Sequence, residues 1–145
     1  MEEFVLITGS ARRVGKSLAI DLARAGKNVI IHHGHSPQEA ISVRDQIREL
    51  GQQAHVLKCD LNDLEQASDL IESAYNIGDV TTLVNNASIF EPLDWNQTNL
   101  ENWTRHLNIN LTAPFLLMQA FAANFDHKKS DRIVNILDWK ALRRG

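Results

Sequence analysis

Short apolar runs alternate along this chain with longer stretches in which apolar residues recur every three or four positions. Unbroken short runs are typical of strands buried on both faces, and the longer spacing is typical of amphipathic helices. Strands are predicted at Phe4–Ile7, Val29–Ile31, Ala54–Leu57, a run that begins with Leu83 and Val84, and Ile133–Leu137. The pattern therefore predicts five strands separated by helices.

Four helices are predicted from their apolar faces and their boundary residues. The faces are Val14, Leu18, Leu22 and Ala25; Ala40, Val43, Ile47 and Leu50; Leu64, Ala67, Ile71 and Ala74; and Leu100, Trp103, Leu107 and Leu111. Capping-box spacing predicts helix starts at Ser36 with Pro37 and Glu39, at Asn62 with Glu65, and at Thr98 with Glu101. The first three helices are expected to end at Gly26, at Gly51 and near Gly78.

Strict alternation of strand and helix implies a parallel sheet with helices on both faces. With right-handed crossovers, the expected strand order is 3-2-1-4-5. The fold class is thus a doubly wound α/β fold.

Composition narrows the class of protein. The chain has 145 residues, a net charge of −3, 43% apolar residues and one cysteine, which excludes a disordered chain and a disulfide scaffold. No apolar stretch approaches the roughly 20 residues of a membrane helix, and no secretory signal is visible. The mild acidity provides no field for general nucleic-acid binding. We expect a cytoplasmic protein with neither a membrane nor a nucleic acid as partner.

A glycine-containing turn, Thr8–Gly15, joins the first strand to the first helix. Such a turn lets backbone N–H groups and the helix N-terminus approach a phosphate, so a nucleotide site is predicted here. The turn matches neither of two common phosphate-binding motifs. The spacing from Gly9 to Gly15-Lys16-Ser17 is one residue too long for a Walker A loop, and Ser10 follows Gly9 where the dinucleotide motif needs a second glycine. Phosphoryl transfer through Lys16, with Asp138 as a Walker B-like acid, remains an alternative.

The same segment resembles the T-G-x-x-x-G-x-G signature of short-chain dehydrogenases/reductases, with Arg13 in place of the middle glycine. The variant with two basic residues is similar to the loop of pteridine reductases and dihydromonapterin reductases. The resemblance implies a Rossmann domain over residues 1–145, incomplete on its C-terminal side. It also implies that Gly9, Arg12, Arg13 and Gly15 contact the cofactor.

The second strand leads into His32, His33, Gly34, His35 and Ser36, with no carboxylate to accept from a ribose 2′-hydroxyl. A 2′-phosphate would be well matched by the groups present here, which are imidazoles, a hydroxyl, a helix N-terminus and Arg12. NADP(H) is therefore the predicted cofactor, with His32, His35 and Ser36 as ligands. The histidines lack the carboxylate support of a metal site, and no metal is predicted. By resemblance, Asp60 and Leu61 contact the adenine; alternatively, Asp60 caps the next helix.

Asn85-Asn86-Ala87-Ser88 is similar to the N-N-A-G element of the family, whose backbone lies against the cofactor. The resemblance therefore assigns Asn86, Ala87 and Ser88 to the cofactor. Ser88 and Phe90 match pteridine reductases, in which an aromatic ring stacks on the pterin, so substrate contacts are expected from Arg13, Ser88, Phe90 and Asp138. A local packing role for Phe90 is the alternative.

Asn110 lies in an N-x-N segment similar to that of the family's catalytic asparagine. Pro114 has no N–H to donate to the Asn110 carbonyl, which predicts a special backbone there, or else only a proline kink. Asp138 stands where most members carry a serine and pteridine reductases an aspartate. Asn110 and Asp138 are the candidate catalytic residues, and the alternative for Asp138 is a strand terminator.

The family's Tyr-x-x-x-Lys pair is expected shortly after the fifth strand, but the single tyrosine is Tyr75, followed at the fourth position by Asp79. Without that proton donor, the chain alone is expected to have negligible reductase activity. The resemblance implies the N-terminal part of an NADPH-dependent reductase of a pterin-like or carbonyl substrate, homo-oligomeric when intact. The alternative is a non-catalytic NADP-binding sensor or assembly module.

Overall fold

The computed structural model describes residues 2–126 and 130–138. The strands of these residues are β1 (Glu3–Ile7), β2 (Asn28–His33), β3 (Ala54–Lys58), β4 (Asp79–Asn85) and β5 (Arg132–Asn135). The helices are α1 (Arg13–Arg24), α2 (Pro37–Glu49), α3 (Leu64–Tyr75), α4 (Leu100–Leu107) and α5 (Ala113–Ala122), with a π-helix (Asn108–Thr112) joining α4 to α5. No helix of this described part is long and apolar enough to cross a membrane.

The sheet has the order β3-β2-β1-β4-β5, and every pairing is parallel. Successive side chains of a strand point to opposite faces. Phe4 and Leu6 accordingly join a core with α3 and α5, whereas Val5 and Ile7 join a second core with α1 and α2. The predicted doubly wound α/β fold, its strand order and its two helical layers are confirmed. The carboxyl ends of the strands meet at one edge, where ligands bind in such sheets.

The fifth strand is shorter than predicted and begins earlier. β5 pairs with β4 from Arg132 to Asn135, where it stands opposite Asn85. Because β4 ends at Asn85, the ladder closes with one further hydrogen bond, from the Ile136 N–H to the Asn85 carbonyl at 2.9 Å. The predicted continuation to Leu137 is wrong, since no partner strand extends that far.

Two of the predicted helix caps are displaced by one residue. Asp63, not Asn62, starts α3, and its carboxylate accepts from the N–H groups of Glu65 and Gln66 at 3.2 and 3.3 Å. An ionised carboxylate is a stronger acceptor for helix N–H groups than an amide. Asn62 instead contacts Asn108, whose Nδ2 donates to the Asn62 Oδ1 at 3.1 Å.

At α4 the capping box is formed by Asn99 and Asn102 rather than by Thr98 and Glu101. The Thr98 hydroxyl is engaged elsewhere, donating to the Asp94 carbonyl at 2.8 Å. At α2, Ser36 is the N-cap residue as predicted, but its side chain makes no capping hydrogen bond. At these helix starts, more than one neighbouring polar residue is thus able to occupy the N-cap position.

The buried face of α1 also differs from the predicted one. Gly15, Ala19, Ile20 and Ala23 are buried, while Val14 is 63% exposed. Small residues let the helix approach the sheet closely. Of the predicted face, Leu18 and Leu22 are partly buried and pack against the same core. The predicted apolar face of α4 is exposed as well, at Leu100, Trp103, Leu107 and Leu111.

Candidate functional site

The loop after β1 is bound to the end of β4 through Thr8 and Asn86. The Thr8 Oγ1 accepts from the backbone N–H groups of Asn86 and Ala87, each at 3.0 Å. The Asn86 side-chain amide donates to the carbonyls of Thr8 and Gly9 at 3.1 and 3.2 Å. The predicted phosphate loop and the predicted nicotinamide segment are thereby brought together, although neither Thr8 nor this use of the Asn86 side chain was predicted.

Two glycines make this contact sterically possible. Gly9 has φ +64, and a Cβ there would lie 2.9 Å from the Ala87 Cα. At Gly15 a Cβ would meet the Gly9 carbonyl oxygen at 2.3 Å and the Asn86 Nδ2 at 2.5 Å. Those neighbours are the backbone of the phosphate loop and a side chain that holds it, so these two positions admit only glycine.

Arg13 has a left-handed backbone, with φ +52. Left-handed backbone is unfavourable for residues with a Cβ and costs them roughly 1–2 kcal/mol. The resembling signature has glycine at this position, so the structure gives the physical reason for that glycine. Arginine here brings a cation to the loop at the expense of backbone strain.

Replacing Arg13 with glycine is expected to raise the free energy of unfolding by about 1 kcal/mol, because the strain is relieved. The matched control is Arg12→Gly, since Arg12 has an extended backbone with φ −145 and ψ 163 and gains nothing from glycine. Urea unfolding of both variants makes the comparison. Equal stability changes in the two variants would contradict the assignment of strain to Arg13.

His32 is placed differently from its predicted role. Its ring is 2% exposed and lies beneath the loop. The Gly9 N–H donates to its Nδ1 at 3.0 Å, and its Nε2–H donates to the Cys59 carbonyl at 2.9 Å. Burial lowers the pKa of His32 from 6.5 to about 4. The prediction that this side chain binds a phosphate is wrong, because both ring nitrogens are used and the ring is neutral.

The remaining residues after β2 lie beside the predicted adenine segment. The Ser36 N–H donates to the His33 Nδ1 at 3.2 Å, and the exposed His35 ring has its Nε2 at 3.7 Å from an Asp60 carboxylate oxygen. Asp60 closes its own turn by accepting from the Asn62 N–H at 2.9 Å. Leu61 is buried in the core, which leaves its backbone as the part able to face a ligand.

A cavity of about 540 Å³ opens between the first turns of α1 and α2. Its lining residues are Ala11, Arg12, Arg13, Lys16, Gln38, Glu39 and Ser42. The lining carries three cationic side chains, Arg12, Arg13 and Lys16, and one carboxylate. Within residues 2–126 and 130–138 none of the three cations forms an ion pair. The arrangement suits a multiply charged anion.

Asn110 lies in the π-helix, where the predicted backbone irregularity is confirmed. In the π-helix the Ala113 N–H donates to the Asn108 carbonyl, five residues back, and Pro114 has no N–H to offer Asn110. The Asn110 side chain binds both peptide groups of Ile89: its Oδ1 accepts from the Ile89 N–H and its Nδ2 donates to the Ile89 carbonyl, both at 2.8 Å. The side chain therefore holds the segment that follows Ser88.

The predicted substrate residues are accessible but scattered along one edge. Phe90 is 88% exposed, Ser88 is exposed, and Asp138 is exposed beyond the end of β5. The alternative of a local packing role for Phe90 is therefore wrong within the described residues, because a ring that is 88% exposed does not fill a gap between neighbouring side chains.

Tyr75 has a structural role. Its hydroxyl donates to the Val80 carbonyl at 3.1 Å and its ring stacks against Phe121. Burial raises the pKa of Tyr75 to about 12, far from that of a proton donor in neutral solution. In the described residues no group of three or more histidines, cysteines and carboxylates lies close enough to hold a metal ion.

The sequence did not predict the contact between two asparagine side chains at this edge of the sheet. The Asn85 Nδ2 donates to the Asn135 Oδ1 at 2.9 Å across the ends of β4 and β5, and the Asn85 Oδ1 is buried with no donor in the described chain. A polar residue at the last position of each of two neighbouring strands was the available signal.

Comparison with known proteins gives the family. A model described as short chain dehydrogenase matches residues 3–141. The chain is 36% identical over 133 residues to the 3-oxoacyl-[acyl-carrier-protein] reductase FabG of Aquifex aeolicus, covering 90% of this chain and 53% of that protein. It is 30% identical over 137 residues to the short-chain dehydrogenase/reductase FrzI of a Cladobotryum species, covering 94% and 52%. The chain thus spans about half the length of these relatives.

Solved structures support the same family. FolM alternative dihydrofolate reductase 1 from Brucella suis, a complex with NADP, superposes with a TM-score of 0.86 at 33% identity, covering 93% of this chain and 56% of that one. A blue fluorescent protein from a metagenomic library, a complex with NADPH, gives 0.89 at 29% identity, covering 97% and 57%. The family match, the shared fold and the glycine loop built around Gly9 and Gly15 lead to one conclusion: this chain belongs to the short-chain dehydrogenase/reductase family.

Proposed function

We propose that this chain is the NADP-binding portion of an NADPH-dependent short-chain reductase that acts on a pterin-like or dihydrofolate-like ring. The observation that carries the proposal is the cavity between α1 and α2, where Arg12, Arg13 and Lys16 are unpaired within the described residues. A 2′-phosphate is a dianion that such cations recognise, whereas a ribose hydroxyl gains nothing from them. The NADP and NADPH complexes among similar structures support the same cofactor.

The residues present fit this cofactor. Gly9 and Gly15 leave room for close approach of a pyrophosphate to the backbone and to the N-terminus of α1. Arg12 and Arg13 would hold the 2′-phosphate together with His35 and Ser36, and Asp60 with the Leu61 backbone would hold the adenine. His32 acts beneath them by fixing Gly9. Asn86, Ala87 and Ser88 would form the wall beside the nicotinamide, which supplies the hydride when bound.

The substrate assignment rests on Phe90, Ser88 and Asp138. The exposed Phe90 ring offers a flat apolar face to a heteroaromatic substrate. The Asp138 carboxylate would orient or protonate such a ring, and the irregular backbone at Asn110 would hold a water for proton transfer. Similarity at 33% identity to the Brucella suis FolM alternative dihydrofolate reductase supports a pterin-like substrate, and similarity at 36% identity to the Aquifex aeolicus 3-oxoacyl-[acyl-carrier-protein] reductase keeps a carbonyl substrate as the alternative.

A second candidate function is binding without turnover, in a sensor or an assembly module. The single tyrosine of these 145 residues is Tyr75, whose hydroxyl and ring are both occupied within the fold, so this stretch of chain supplies a cofactor site without a tyrosine proton donor. The exposed apolar face of α4 supports a homo-oligomer of the whole protein. The lone, buried Cys59 supports a reducing, cytoplasmic compartment.

The test begins by reading the gene past the codon for Gly145 and assaying the whole product of that frame. A product that contains Tyr-x-x-x-Lys is expected to oxidise NADPH with a dihydropterin. A product that ends at Gly145 is expected to bind NADPH without turnover. A whole product that carries the pair but leaves dihydropterin and dihydrofolate untouched would contradict the proposed substrate class.

A further inference from the structure

The segment 89–91, between β4 and α4, is attached by its backbone to the helical segment that follows. Ile89 is held through both of its peptide groups by the Asn110 side chain, at 2.8 Å each. Glu91 is held by its N–H, which donates to the His106 Nε2 at 3.1 Å. The two residues that flank position 90 are therefore fixed by two different side chains.

The spacing of the two anchors matches the spacing of the two anchored residues. His106 and Asn110 are four positions apart on a helical segment, which corresponds to about 6 Å along the axis. Two residues of extended chain span roughly 6.6 Å. A single helix face can therefore hold Ile89 and Glu91 while the residue between them remains unattached.

The anchors leave Phe90 presented to solvent. Its ring is 88% exposed although both neighbouring residues are bonded to the helix. The Glu91 carboxylate also forms an ion pair with Arg105, the residue before His106. The attachment thus combines a backbone bond and a charge contact at Glu91.

The protonation of His106 follows from its partners. A backbone N–H only donates, so the Nε2 that faces Glu91 must be a bare acceptor. The Nδ1 lies 2.7 Å from the Asn102 carbonyl and so carries the proton. Asn102 is itself fixed by its reciprocal capping bonds with Asn99. The imidazole is therefore held in one tautomer by a rigid helix start.

We infer that His106 is a positioning residue for the substrate: together with Asn110 it fixes the peptides on both sides of Phe90, so that the ring is a preformed platform for a flat heteroaromatic ligand. An aromatic side chain on an unanchored loop would have to be ordered on binding, which costs affinity. His106 removes that cost without touching the ligand. This inference rests on the proposed function, because it takes Phe90 as the platform.

The test uses the chain saturated with NADPH and 7,8-dihydrobiopterin as the probe, with binding measured by calorimetry. His106→Leu is expected to weaken binding of the pterin about fivefold and to leave NADPH affinity unchanged, since ordering one side chain and its loop costs about 1 kcal/mol. His106→Gln, whose amide oxygen can accept from Glu91, should recover most of the affinity. In a Phe90→Ala background, His106→Leu should cause no further loss, because the platform is already gone.

The inference would be overturned by unchanged pterin affinity in His106→Leu, by losses that add in the double variant, or by an equal loss of NADPH affinity, which marks a merely structural role. Wild-type chain that binds NADPH but not the pterin would instead contradict the proposed substrate class. Hydrogen exchange at the Glu91 amide then decides the role of His106: faster exchange in His106→Leu supports the anchor, and unchanged exchange overturns it.

Discussion

Replacing Gly15 with alanine is expected to destabilise the chain by about 3 kcal/mol and to abolish NADPH binding, since overpacking of this kind costs at least 1–3 kcal/mol. The added methyl would lie 2.3 Å from the Gly9 carbonyl oxygen and 2.5 Å from the Asn86 Nδ2. Either α1 moves away from the loop or the Asn86 bonds to Thr8 and Gly9 break. Both outcomes dismantle the phosphate loop and its link to β4.

Gly34→Ala is the matched control for this substitution. Gly34 also lies at the carboxyl edge of the sheet, but a Cβ there meets nothing closer than the Cys59 carbonyl oxygen at 3.7 Å. Urea unfolding and NADPH titration of both variants give the comparison. If Gly15→Ala retained wild-type stability and NADPH affinity, that result would contradict the close approach of α1 to the phosphate loop.

Acid is expected to destabilise the chain through His32. The pKa of this ring is lowered from 6.5 to about 4 in the folded chain, with burial as the largest cause. The folded state therefore favours the neutral ring: the contribution to stability is complete above pH 6.5 and is lost as the pH falls towards 4. Linkage gives a loss of about 2 kcal/mol between pH 7 and pH 5.

The free energy of unfolding of wild type and His32→Gln, measured from pH 7 to pH 5, isolates this contribution. Burial also lowers the pKa values of His33 and His55, but both proteins retain those groups. The stability advantage of wild type over His32→Gln should shrink by about 2 kcal/mol over this range. An advantage that is constant with pH would show that His32 titrates alike in the folded and unfolded chain.

The sheet could be predicted from the sequence because each strand contains a short apolar run, as at Phe4–Ile7. Such runs are compatible with a parallel sheet covered on both faces, and right-handed crossovers together with the usual mononucleotide-binding arrangement give the strand order. The irregular helix at Asn110 could also be predicted, since the missing N–H of Pro114 is a local property. These features depend on residues close together in the sequence.

The role of His32 could not be predicted in this way. A histidine at the end of β2 can either bind a phosphate or be buried in the protein interior. Its burial here depends on hydrogen bonds to Gly9 and Cys59, which lie 23 and 27 positions away in the sequence. The helix caps failed for a related reason. Asn62 and Asp63 are adjacent and both polar; the Asp63 carboxylate caps the helix, and the Asn62 side chain accepts from the distant Asn108.

Under the proposed function, the cations beside α1 select a cofactor with a 2′-phosphate. The most direct measurement is the affinity of the chain for NADPH and for NADH, by calorimetry at one fixed ionic strength. We expect NADPH to bind at least about tenfold more tightly, with Arg12→Ala removing most of that preference. Equal affinity for the two cofactors, or binding of neither, would contradict the account.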